Sequence, residues 1–287
     1  MASNDPVHPL FRNAPTPEAK LWRYLSFAKF ASLLQSAQLH FTRVDHFDDH
    51  FEGAWPKSDL GYWTKERMID VFKVADFTEQ MRRNVAVSCW FQSPHESAAM
   101  WRLYAPGNEG VAVATTFSKL LNLVNAAPIA ADWLAGAGSV TYLDHFNDGL
   151  IKSLRTNERL PNTLMPFMLK NISYEYENEA RAVIIAMPPH EIPREGFDLP
   201  LNVIDFVEEI VISLIRFVRP GLTRLLPESP VITVWKASFA SPHLRRTFST
   251  FRGCMCFYTG SVRVGHSAMS APRPGLPPKA AVCRSGA

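Results

Sequence analysis

The sequence predicts an α+β fold: a single mixed, mostly antiparallel sheet domain with interleaved helices, plus a disordered C-terminal tail. Three observations carry this. Period-2 and period-3.6 segments alternate between residues 20 and 238, with no internal repeat. The chain is 47% hydrophobic and 20% charged, enough to bury a core. From about Ala240 the periodicity dissolves into Ser, Pro, Gly and Arg. The expected organisation is an irregular segment 1–19, one α+β domain over 20–238 and a basic low-complexity tail over 239–287. The tail has two readings, a disordered extension or the product of a shifted reading frame.

Each element has its own signal. Residues 20–25 read as a short strand. Phe27, Phe30, Leu33 and Leu34 then recur at helical spacing behind Ser26 as N-cap. Residues 38–42 alternate as a half-buried strand does, and 45–56 form a polar, aromatic loop. A helix is predicted over 66–81, a strand over 84–90 and a helix over 97–104. Gly107 and Gly110 bracket a turn into a strand at 111–116. A helix at 119–124, a strand at 139–143 and helices at 147–160 and 164–170 follow. The last strands are expected at 180–186, 209–213 and 231–235. In Ser173–Arg181 extended geometry would set Glu175, Glu177 and Glu179 on one face.

Charge is split along the chain. After Glu228 there are eight Lys and Arg and no Asp or Glu. That leaves 22 Lys and Arg against 27 Asp and Glu in the first 228 residues, so an acidic body of −5 precedes a tail of +8. The overall balance of +3 is therefore no sign that the core binds nucleic acid. No apolar run is long enough to cross a membrane, and residues 1–6 lack a signal-peptide pattern. Four cysteines give no disulfide framework, so the expected compartment is a reducing cytoplasm. The chain lacks a Gly-rich phosphate loop, a Gly-x-Ser-x-Gly elbow and a dinucleotide fingerprint, which argues against P-loop, α/β-hydrolase and Rossmann functions.

Several clusters carry chemistry, each with a plainer alternative. The loop from Asp45 to Glu52 packs four carboxylates and two imidazoles into eight residues. These are ligand types for a metal-dependent hydrolase. Alternatively, Asp48 or Asp49 caps a turn while Phe47 and Phe51 anchor it. Trp90, Trp101, Arg102 and Tyr104 suit either a nucleobase or nicotinamide site or a packed core. Cys89 is either a nucleophile with His95 as base or inert packing. Cys254, Cys256, Cys283, His243 and His266 match no standard zinc spacing.

Three ordered segments resemble a bacterial family known as domain of unknown function 2971. They are Leu21-Trp-Arg-Tyr24 through Leu39-His-Phe-Thr42 to Phe47–Gly53; Val87–Phe91 with Met100–Ala105 and Gly110–Val113; and Lys170 with Tyr176-Glu-Asn-Glu-Ala-Arg181. Asp48 and His50 stand where that family tends to have Asn and Pro, so a metal site would be peculiar to this chain and no metal is expected. The layout also loosely resembles the ADP-ribosyltransferase superfamily, which sets His or Arg on an early strand, a hydroxyl residue on a second and Glu on a later one. That resemblance implies Glu179 as catalytic carboxylate and Glu177 as the second. It implies Arg23, Tyr24, Thr42, Trp101 and Tyr104 as the binding residues, and NAD as substrate. A defence or toxin context would suit such an enzyme. The alternatives are a non-catalytic module binding nucleic acid or protein through the basic tail, and the hydrolase built on Asp45–Glu52.

Overall fold

A computed structural model describes residues 11, 13–49, 51–65, 70–105, 110–150, 164–215 and 232–238. Strand β1 (Lys20–Ser26) runs into helix α1 (Phe27–Ser36), with the Ser26 hydroxyl accepting from the Lys29 N–H as N-cap. The helix ends at Ala37, whose left-handed conformation returns the chain to β2 (Gln38–Arg43). Helices α2 (Lys57–Lys65) and α3 (Val71–Asn84) lead to β3 (Val85–Gln92). Helix α4 (Ala98–Tyr104), capped by Ser97, precedes β4 (Gly110–Thr116) and α5 (Phe117–Asn125). Then come β5 (Leu134–Ser139), β6 (Thr141–Leu143), β7 (Leu169–Asn171) and β8 (Glu179–Ile185). The described elements end with β9 (Phe197–Pro200), α6 (Val203–Phe206), β10 (Glu209–Ile215) and β11 (Ile232–Ser238).

Nine of these strands form one antiparallel sheet, and β6 pairs with β7 in parallel beside it. The α+β class and its mostly antiparallel sheet are thus as the sequence predicts. The informative strand is β3. Its residues 85–91 pair with β8 on one edge, from Val85↔Ile185 to Phe91↔Glu179. The other edge is shared. β1 pairs with it at Leu21↔Gln92 and Trp22↔Phe91, and β2 at Thr42↔Val87 and Arg43↔Ala86. Residues 88–90 face neither strand on that edge, so the sheet forks there.

Alternation sorts the side chains into two faces. Leu21, Leu25, Ala86, Trp90, Ala180, Ala182 and Ile184 form the main core with Phe30 and Leu33 of α1 and Phe117, Leu120 and Val124 of α5. The opposite face carries Trp22 and Tyr24 against Met100. It also carries Val85, Val87, Val183 and Ile185 against Met81, Phe167 and Phe11.

Some boundaries depart from expectation. Only part of the 66–81 helix is described, as α3 from Val71, and α2 went unforeseen. The 139–143 strand divides at Val140, whose N–H donates to Glu179 O, giving β5 and β6. Residues 147–149 are not helical, because the Asp144 carboxylate caps a turn at Phe146 and Asn147. Residues 164–170 form a single 3-10 turn at Met165–Met168, containing Pro166, and then β7. In 173–181 extended geometry holds only for Glu179–Arg181, the start of β8; the residues before it form a 3-10 turn over Ile172–Glu177 followed by left-handed Asn178. Glu175 is exposed, so no row of three carboxylates shares one face. The tail 239–287, with its cysteine and histidine candidates, lies outside the described residues.

Candidate active site at the fork of the sheet

The gap between β1 and β2 opens into a cleft of about 700 Å³, a size typical of small-molecule sites. Arg23 spans the fork. Its Nη1 donates to the Ser88 hydroxyl at 2.9 Å and its Nη2 to the His40 carbonyl at 3.1 Å, which joins β1 to β3 and β2 where backbone pairing is missing. Six carboxylates line the cleft (Asp48, Asp49, Glu52, Glu177, Glu179 and Asp198) against three cations, Arg23, Lys29 and Lys170. The cleft is acidic.

One wall is a buried ion cluster. Arg181 on β8 is fully buried and uses all five of its N–H donors. Nε reaches Glu179 Oε1 at 2.7 Å. Nη1 reaches Glu52 Oε2 at 2.9 Å and the Phe167 carbonyl at 2.8 Å. Nη2 reaches Glu52 Oε1 at 3.0 Å and Glu179 Oε2 at 3.2 Å. Lys170 adds a bond to Glu179 Oε2 at 3.2 Å and another to Glu177. The Tyr104 hydroxyl donates to Glu177 Oε1 at 2.8 Å. Charges at such depth persist only when paired and hydrogen-bonded.

The electrostatics follow from this packing. Burial pushes the Glu179 carboxyl up, but Arg181 and Lys170 outweigh it and hold the group down at about 2. Burial lowers Lys170, yet the adjacent glutamates raise it further and keep it charged. Burial and the Glu177 charge push the Tyr104 hydroxyl well above the tyrosine range, so it acts as a neutral donor. Burial and the Glu179 charge likewise push the Cys89 thiol well up. That environment is the reverse of an activated nucleophile. Its carboxylate neighbour is Glu179, while exposed His95 bonds the Ser93 hydroxyl through its backbone.

Of the sequence-predicted residues, Arg23, Tyr24, Thr42, Tyr104, Glu177 and Glu179 all line the cleft. Arg23 comes from the core-side face of the sheet, Thr42 and Glu179 from the other. Trp101 is not among the lining residues. It packs edge-on against Tyr24 at 5.0 Å and donates to Glu96 Oε2 at 3.0 Å. Trp90 lies on the opposite face against Phe206, so the expected aromatic cluster is divided by the sheet. The carboxylates of the 45–52 loop also go separate ways. Asp45 chelates Arg43, with both contacts at 2.7 Å. Asp49 Oδ1 caps the Phe51 N–H at 2.9 Å, and Glu52 serves Arg181. Among the described residues no three His, Cys, Asp or Glu are grouped to hold a metal; His50 lies outside them.

Residues 100–182 match the model of a family described as "Protein of unknown function (DUF2971)". The match runs from α4 through β8, so it includes Tyr104, Lys170, Glu177, Glu179 and Arg181. Every member of the ion cluster except Glu52 falls inside it. No curated protein and no solved structure matches the chain.

Proposed function

We propose that the cleft binds a dinucleotide of the NAD class and transfers its ADP-ribosyl group to an acceptor. The observation that supports this reading is that Arg23, Thr42, Glu177 and Glu179 line one cleft at the fork. Breaking the nicotinamide–ribose bond develops an oxocarbenium-like cation, which a fixed carboxylate stabilises. The two glutamates take different parts. Glu179 commits both oxygens to Arg181 and Lys170 and acts as a positioning residue. Glu177 has one exchangeable contact, with half-exposed Tyr104, and keeps Lys170 when that contact is replaced by a ribose hydroxyl. In an acidic cleft the diphosphate depends on Arg23, which has only the Ser88 and His40 hydrogen bonds among the described residues, and on Lys29. The half-exposed Tyr104 ring offers a stacking surface, while Tyr24 lines the cleft from a buried position against Trp101 and Phe91. A bacterial cytoplasm and a defence or toxin role are the setting this reading implies.

The saturation of Glu179 favours a second reading, a cleft that binds a nucleotide without turnover. Incubation with nicotinamide-labelled NAD separates the two. Transfer predicts label release by the wild type, reduced about 10²-fold or more in kcat by Glu177→Gln. It also predicts an affinity weakened about tenfold by Arg23→Lys, which keeps the charge and loses the fork geometry. Binding without release favours the second reading, and neither binding nor release overturns both.

A further inference from the structure

His40 and Asp198 form a hydrogen-bonded pair at the cleft that the transfer reading leaves unused. They stand directly opposite each other across β2 and β9, with His40 Nδ1 2.8 Å from Asp198 Oδ1. Both line the cleft. His40 is two residues before Thr42, which is paired with Val87, so its side chain shares the face that carries Cys89 and Glu179. Its carbonyl receives Arg23, so one residue links the proposed diphosphate anchor to this face.

The ring has a prepared seat. Gly196 has φ +102°, and a Cβ there would stand 2.8 Å from His40 Cε1, 3.1 Å from Nε2 and 2.4 Å from the Phe41 carbonyl. Only glycine lets the imidazole lie so close to that turn. A carboxylate on Nδ1 takes the Nδ1 proton as a hydrogen bond and leaves the lone pair on Nε2. Nε2 has no hydrogen-bond partner among the described residues. An exposed cross-strand pair adds little to stability, so the fold gives no other strong reason for the arrangement.

We propose that His40 is the proton acceptor for the attacking nucleophile and that Asp198 is its positioning residue. This rests on the transfer reading. The nucleophile's O–H proton moves to His40 Nε2 as its oxygen bonds to the ribose anomeric carbon. The bond from that carbon to nicotinamide breaks, and its electron pair returns to the ring nitrogen, releasing neutral nicotinamide. The His40 proton then passes to water.

The test is nicotinamide release from NAD, with water as acceptor, by the full chain. His40→Ala is expected to lower kcat by about 10²-fold or more, with KM little changed, and added imidazole to restore part of it. Asp198→Asn is expected to lower kcat about tenfold by misorienting the ring. If His40→Ala does not fold, His40→Gln, which has no basic nitrogen, takes its place. An unchanged kcat in the histidine variant, or a loss that imidazole does not rescue, overturns the assignment while wild-type turnover leaves the transfer reading standing. No release by the wild type overturns both.

Discussion

The two faces of β8 are equally dry and differently built. Ala180, Ala182 and Ile184 face the main core, each with no exposed surface. Glu179 and Arg181, on the other face of the same strand, are as deeply buried and carry full charges. Apolar burial stabilises in proportion to area. An ion cluster at that depth gains little over apolar side chains of similar volume, because desolvation offsets the attraction. Of these β8 residues only Glu179, on the charged face, lines the cleft. The charges of that face fix Lys170 and Glu177 at the cleft wall, so the cluster supplies position rather than net stability.

The largest effect that breaks this comparison is Arg181→Ala. It strands Glu52 and Glu179 without a buried counter-charge on their shared side and is expected to cost about 3–5 kcal/mol, read from urea unfolding. A loss under about 1 kcal/mol would mean that water reaches the cluster and that the two faces are not alike in burial.

Acid sharpens the same contrast. Glu179 has its folded-state value depressed from 4.5 to about 2. Its contribution is therefore fully present above the unfolded value and is lost as pH falls through the window from 4.5 to about 2. Unfolding free energy should decline there in the wild type. It should decline less in Glu179→Gln, which has no carboxyl to titrate. Ile184→Val, on the apolar face, removes one methylene at about 0.5–1.5 kcal/mol. Its curve should run parallel to the wild type at every pH. Parallel curves for Glu179→Gln would remove the proposed charge dependence.

How much of this was legible depends on the range of the contact that made it. Strands with clean alternation or continuous apolar runs, such as β1, β4 and β8, declare themselves locally. β5 does not, because Gly136 and Gly138 weaken any strand signal. A Cβ on Gly136 would meet the Phe11 ring at 2.2 Å, so the glycine answers a residue 125 positions away. The turn at Ile172–Glu177 has no periodic signal, because Asn171 capping and left-handed Asn178 act through single residues. The glutamates, Lys170 and Arg181 stood out as a dense charge pattern. Glu52 stands out only as a metal-ligand candidate of the 45–52 loop; its pairing with Arg181, 129 residues away, has no local signal. His40 and Asp198, 158 residues apart, had no sequence signal at all.

The smallest expected effect lies at the edge of the charged face. Tyr104→Phe keeps the ring and removes the hydroxyl that donates to Glu177. Tyr104 is 48% exposed, so water can replace the donor at Glu177. The stability loss should be about 1 kcal/mol or less, a shift of a few degrees in Tm. Nicotinamide release should survive, because Glu177 must exchange this contact for substrate on every turnover. If instead Tyr104→Phe destabilises as strongly as Arg181→Ala, the cluster is sealed at both ends. Glu177 is then a structural partner like Glu179, and the division of labour between the two carboxylates fails.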